Sequence, residues 1–138
     1  MARWPIRVSI DKAADEINVL FKQEAWQEEI KRILAVLAQE EDPRTPEPAS
    51  NLQVDEVMYD APGCFRVKVP RYGMRIIFRL LLVKAPLSEI FELATHQPIP
   101  KDIEGYIDIV QIGFRNEVYG EELRRRYLSH KFPPYDDF

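Results

Sequence analysis

The sequence predicts an α+β fold in which an N-terminal helical hairpin packs on a small antiparallel β-sheet and a C-terminal helix completes the domain. Three observations predict it. Apolar residues recur at helical spacing from Ala14 to Leu37, the period changes to two from Gly63 onward, and a last alternating stretch, Tyr106 to Ile112, runs into a second helical segment. At 138 residues the chain is the length of one domain, with 46% apolar and 30% charged residues, a globular balance.

In chain order, Arg7 to Ile10 reads as a short strand, and Asp11 suits a helix N-cap, with Asp15 and Glu16 in the favourable first turn. Ala14, Ile17 and Phe21 then share one helical face. A second helix is expected from about Glu24 to Glu41, because Trp26, Ile30, Ile33, Leu34 and Leu37 form a core-facing stripe. Asp42-Pro43 marks its end, and Pro43, Pro46 and Pro48 keep the following stretch extended.

Phe65, Val67 and Val69 alternate with Cys64, Arg66 and Lys68, as in a strand with one buried and one wet face. Pro70-Arg71-Tyr72-Gly73 is turn chemistry, and Met74 to Leu82 forms the partner strand. Pairing the two brings Arg66 and Lys68 to the side that carries Arg75 and Arg79. Residues 84–105, with three prolines, read as an insertion in which Ser88 to Ala94 suits either a strand or one helical turn. Asn116 is a plausible N-cap for the last helix, Arg124, Arg125 and Arg126 suit its C-terminal end, and 132–138 reads as a flexible tail.

Net charge is −4, which argues against a general nucleic-acid binder. The distribution argues otherwise. Residues 1–62 carry 13 acids and 7 bases, whereas 63–79 carry Arg66, Lys68, Arg71, Arg75 and Arg79 with no acid. Exposed charges are screened over about 8 Å at physiological salt, so a ligand at this strip responds to the local positives. Cys64 is the single cysteine, so no internal disulfide is expected and a reducing, cytoplasmic location is the default. The sequence shows neither a signal-peptide run nor a stretch long enough to span a bilayer, and no membrane association is expected. His96 and His130 have no metal-ligand spacing with Cys64 or each other, so neither metal nor cofactor is expected.

A cationic groove without metal ligands suits RNA cleavage by the 2′-hydroxyl, an internal nucleophile toward the adjacent phosphate. Arg66, Arg71, Arg75, Arg79 and Arg115 fit the task of neutralising phosphate charge but not that of the base, because Arg does not deprotonate. Lys68 and Tyr119 are the two candidate bases: neighbouring cations disfavour the charged ammonium and favour the phenolate. Tyr119 also shares a helical face with Leu123 and Tyr127, so it equally suits an anchor in the core.

The run Gly63-Cys64-Phe65-Arg66-Val67-Lys68-Val69, then Gly73-Met74-Arg75-Ile76-Ile77-Phe78, resembles the core of the RelE/ParE toxin superfamily. Ile109 to Tyr119, with Gly113, Arg115 and Val118-Tyr119, resembles its second motif block. The resemblance implies the toxin of a type II toxin–antitoxin pair, a metal-free endoribonuclease cleaving mRNA at the ribosome and neutralised by a cognate antitoxin protein. It places Lys68, Arg75, Arg115 and Tyr119 in the catalytic site and Arg66 at a basic strand position against RNA, and the rest of the basic strip, Arg71 and Arg79, is expected to contact RNA as well. The sequence departs from the family pattern at Arg66, where the RelE branch often has Lys, at Phe114, and in the segment after Val83. The alternative is a non-catalytic module on the same scaffold, inhibiting DNA gyrase as in the ParE branch or serving protein interaction.

Overall fold

The structure is a computed structural model and describes residues 3–57, 61, 63–84, 89–92, 98–99, 104–114, 121–129 and 136–137. Strand β1 (Ile6–Val8) leads into helices α1 (Asp11–Leu20) and α2 (Glu24–Gln39). Strands β2 (Val54–Glu56), β3 (Phe65–Val69), β4 (Met74–Lys84), β5 (Glu89–Glu92) and β6 (Glu104–Phe114) follow, then helix α3 (Glu121–Ser129) and strand β7 (Asp136–Asp137).

The expected small antiparallel sheet is corrected by a mixed seven-stranded sheet in the order β2-β3-β4-β6-β1-β7, with β5 paired to β4. β1 runs parallel to β6, with Ile6 opposite Ile107 and Arg7 opposite Asp108. The long strands β4 and β6 pair from Met74/Phe114 to Val83/Glu104, and the register slips between Ile77 and Phe78, where Val110 is the extra residue of a bulge on β6. Two segments read as accessory enter the sheet. The 84–105 insertion supplies β5, and the 132–138 tail supplies β7, antiparallel to β1.

The two N-terminal helices form where the apolar stripes place them. Ala13, Ile17 and Leu20 of α1, and Ile30, Ile33, Leu34 and Leu37 of α2, are buried in one core with Val67, Ile76, Phe78 and Ile109 of the sheet. Asp11 is the first helical residue rather than the cap; Ile10 holds the extended cap position and no side chain caps the helix. Trp26 meets Phe114 edge-on at 5.2 Å, and Phe65 stacks on its cross-strand partner Phe78 at 5.9 Å. Trp4 closes the far end: its amide donates to Ala38 O at 2.8 Å, and its ring lies over Gly105, where a Cβ would meet Cζ3 at 2.3 Å. Gly105 is therefore fixed by this close approach.

From Ile76 to Leu82 every residue of β4 is buried, on both faces of the sheet. The alternation that sequence reads as one wet face is thus confined to the end of β4 near Met74, where Arg75 keeps partial exposure. Beyond the β1 pairing, the edge of β6 is served by side chains. Glu16 of α1 accepts from Ile112 N–H at 3.4 Å, while Arg126 of α3 donates to Val110 O at 2.9 Å and pairs with Glu16 at 2.6 Å. Arg126 is buried, so this member of the Arg124–Arg126 run fastens a helix.

Candidate nucleic-acid interface

β3 and β4 are joined by a turn of 3-10 helix, Pro70–Tyr72, closed by Gly73 at φ +64°, a left-handed conformation that favours glycine. The resulting register makes Lys68 and Arg75 cross-strand partners and puts Arg66 opposite Ile77. With period-two alternation, Arg66, Lys68 and Arg75 share one sheet face. All three are partly exposed. Arg75 Nη1 donates to Met74 O at 3.0 Å, and among the described residues neither Arg75 nor Lys68 makes an ion pair. Arg66 Nε stands 3.5 Å from Asp55 Oδ2, its partner across β2 and β3.

Arg71 lies exposed on the turn, its guanidinium 5.5 Å from the centre of the Tyr72 ring. It belongs to the rim. The Glu29 carboxyl on α2 is held below its ordinary range mainly by its hydrogen bond to Arg32, with a smaller contribution from the charge of Arg71.

Arg79 is corrected outright as an RNA contact. Its side chain is 0% exposed, and Nε donates to Asp108 Oδ2 at 2.8 Å. Ser9 completes the cluster, its amide donating to Asp108 Oδ1 at 2.8 Å and its hydroxyl to Oδ2 at 2.7 Å. Burial pushes the Asp108 carboxyl above the usual carboxylate range, opposed by Arg79 and by both bonds from Ser9. A charge on β4 that alternation assigns to solvent is thus neutralised inside the sheet.

Arg115 and Tyr119 lie outside the described residues. The chain enters that segment from Phe114, the Cα partner of Met74, and Gly113 is the partner of Arg75. The described part of the second motif block, Ile109 to Phe114, therefore runs along β4 to the end of the sheet where Lys68 and Arg75 meet. Asn116, His96 and His130 also lie outside the described residues. Cys64 is buried.

Beside Lys68 a groove of about 430 Å³ opens, within the range of about 300–1,000 Å³ typical of ligand sites. Pro46, Leu52 and Val54 give it apolar walls; Thr45, Gln53, Asp55 and Lys68 give it polar ones. Arg44 also lines it, its Nε and Nη2 both donating to Asp42 at 2.9 Å. The loop that carries these residues is held by Glu40, which accepts from Glu47 N–H at 3.1 Å and from the Ser50 hydroxyl. Lys68 N–H donates to Gln53 O at 3.1 Å and ties the loop to β3. Sequence reasoning missed this wall. The faint signal was the alternation Leu52-Gln53-Val54-Asp55, short and placed directly after the proline-rich stretch.

No protein-family model, curated protein or solved structure matches the chain. Among the described residues no group of His, Cys, Asp or Glu is arranged to hold a metal ion, and no helix is long and apolar enough to cross a membrane.

Proposed function

We propose that the chain is an RNA-binding endoribonuclease of the toxin type, whose phosphate seat is the corner formed by Lys68, Arg75 and Arg66. The observation that carries this reading is the cross-strand pair Lys68–Arg75. Like charges placed directly opposite one another destabilise a sheet. Here two cations face each other without an ion-pair partner among the described residues, while Arg79 on the same strand is given a buried carboxylate. A bound phosphate relieves the repulsion that the fold itself leaves in place. The resemblance of the two motif blocks to RelE/ParE toxins supports the same reading, and Arg115 and Tyr119 follow the sheet end beside Arg75.

In this reading Arg75 and Arg115 neutralise charge gathering on the scissile phosphate, and Arg66 and Arg71 hold the flanking backbone. Lys68 or Tyr119 takes the 2′-hydroxyl proton as the oxygen attacks phosphorus, and the departing 5′-oxygen is protonated. The substrate is mRNA at the ribosome, in the cytoplasm, and a cognate antitoxin covers the cationic corner when the enzyme is silent. Such a partner associates fast and in a salt-sensitive way.

Purified protein incubated with RNA, with and without ribosomes, tests the reaction. It is expected to leave 2′,3′-cyclic phosphate or 3′-phosphate ends at a rate unchanged by EDTA. Cleavage abolished by EDTA and restored by Mg²⁺ would overturn the metal-free chemistry.

A further inference from the structure

We propose that the groove beside Lys68 is a nucleobase subsite in which the Asp55 carboxylate selects bases bearing an exocyclic amino group over uracil. This rests on the reading that Lys68 and Arg75 hold RNA phosphate.

Lys68 is the residue the two features share: it is the cross-strand partner of Arg75 and also lines the groove. A phosphate at Lys68 therefore leaves its attached nucleoside at the groove's mouth. The lining suits the two surfaces of a base. Pro46, Leu52 and Val54 offer apolar contact to a ring face, and Arg44 supplies a guanidinium already fixed in its fork by Asp42. Single-stranded RNA bases are held in this manner, by stacking on planar or apolar groups and by hydrogen bonds to their Watson–Crick edges.

Asp55 decides which edge fits. Its side chain is 49% exposed and lines the groove, and its Oδ2 lies 3.5 Å from Arg66 Nε. An ionised carboxylate only accepts hydrogen bonds. Adenine, cytosine and guanine each present an exocyclic NH₂ donor. Uracil presents one N–H flanked by two carbonyl oxygens, which the carboxylate repels. Gln53 on the same loop carries both a donor and an acceptor and complements the remaining edge atoms of any of the three amino bases. Pairing with Arg66 sets the position of Asp55, so the selecting group is anchored on the sheet by β2–β3 pairing.

The test uses 2′-O-methyl RNA heptamers of uridine with A, C, G or U at the centre, which bind but lack the nucleophilic hydroxyl. Dissociation constants are read by fluorescence anisotropy at one low salt concentration. The wild type is expected to bind each amino-base heptamer at least about fivefold more tightly than the all-uridine one, the lower end of what one good base contact discriminates. Asp55→Ala removes a negative charge beside the phosphate seat, so overall affinity should rise while the preference falls to near unity. Asp55→Asn keeps the shape and adds a donor, so uracil should gain relative to the others. Lys68→Ala should weaken all four heptamers alike and leave the preference. A wild type that binds all four equally would overturn the subsite and leave the phosphate seat standing. So would a preference that survives Asp55→Ala while affinity rises, because that marks Asp55 as a charge screen only. Failure of every heptamer to bind, with Lys68→Ala without effect, would overturn the phosphate seat and the subsite with it.

Discussion

Arg79 donates through Nε to Asp108 Oδ2 at 2.8 Å, and the two residues are direct partners across β4 and β6 with neither side chain exposed. The bond, together with Ser9, turns one cation of the basic strip into an internal brace between the two longest strands and β1. Its neighbour Arg75, four residues earlier on the same face, has no such carboxylate among the described residues. The contrast separates the strip into a structural part and a candidate functional part.

Removing one partner of that brace should be costly. Arg79→Met or Asp108→Leu each leaves a buried charge uncompensated, and the loss expected is about 3–5 kcal/mol of unfolding free energy. The double variant Arg79→Met/Asp108→Leu should recover much of it, because both charges leave together. Urea titration of the three variants gives the comparison. Single variants as stable as wild type would show that the pair is not the brace described.

Gly105→Ala should destabilise through the Trp4 ring. The new Cβ meets Cζ3 at 2.3 Å, and the indole cannot easily retreat because Nε1 donates to Glu41 O at 3.2 Å. Overpacking of this kind costs about 1–3 kcal/mol. Combining it with Trp4→Leu should recover part of the loss relative to the sum of the single changes. Additive losses would place the strain elsewhere.

Acid should loosen α3. The Glu122 carboxyl lies below its ordinary value of 4.5, first through its bond to Lys12 and then through Arg126. A depressed acid contributes stability that is present above its unfolded value and is lost as pH falls through the lower folded one. The melting temperature should therefore decline below about pH 4.5, and Glu122→Gln should flatten that decline. Asp108, raised by burial, acts in the opposite sense in both proteins and cancels from their difference. Identical pH profiles for wild type and Glu122→Gln would remove Glu122 from the account.

Some of this was legible in the sequence and some was not. The stripe Ile30-Ile33-Leu34-Leu37 states a helix and its buried face unaided, and Phe65-Val67-Val69 states a strand. The parallel pairing of β1 with β6 joins residues about a hundred positions apart, and three-residue strands carry too little pattern to announce such a partner. The same limit hid β7 inside the tail, and it left Ser88 to Ala94 open between a strand and a helical turn where β5 forms. Arg79 was misread for a related reason. Alternation gives the face of a residue but not what lies over that face, and Asp108 sits 29 positions downstream on another strand. Arg66, Lys68 and Arg75 were legible because tight turns fix register locally, so their common side followed from Pro70–Gly73 alone. Asp55 was not, because its strand is three residues long and pairs with Arg66 only once the fold is formed.

The most direct test of the phosphate seat is to measure RNA affinity against salt and thermal stability on the same samples of Lys68→Ala and Arg75→Ala. Each variant loses one cation of a like-charged cross-strand pair, so the melting temperature should hold or rise. Each should also bind single-stranded RNA more weakly, with the slope of log affinity against log salt reduced by about 0.7 for each phosphate left without its cation. Cleavage should fall by about a hundred- to a thousandfold in Arg75→Ala if the side chain meets the charge developing on phosphate. A lowered melting temperature with unchanged affinity and unchanged salt slope would contradict the account and make the pair part of the scaffold.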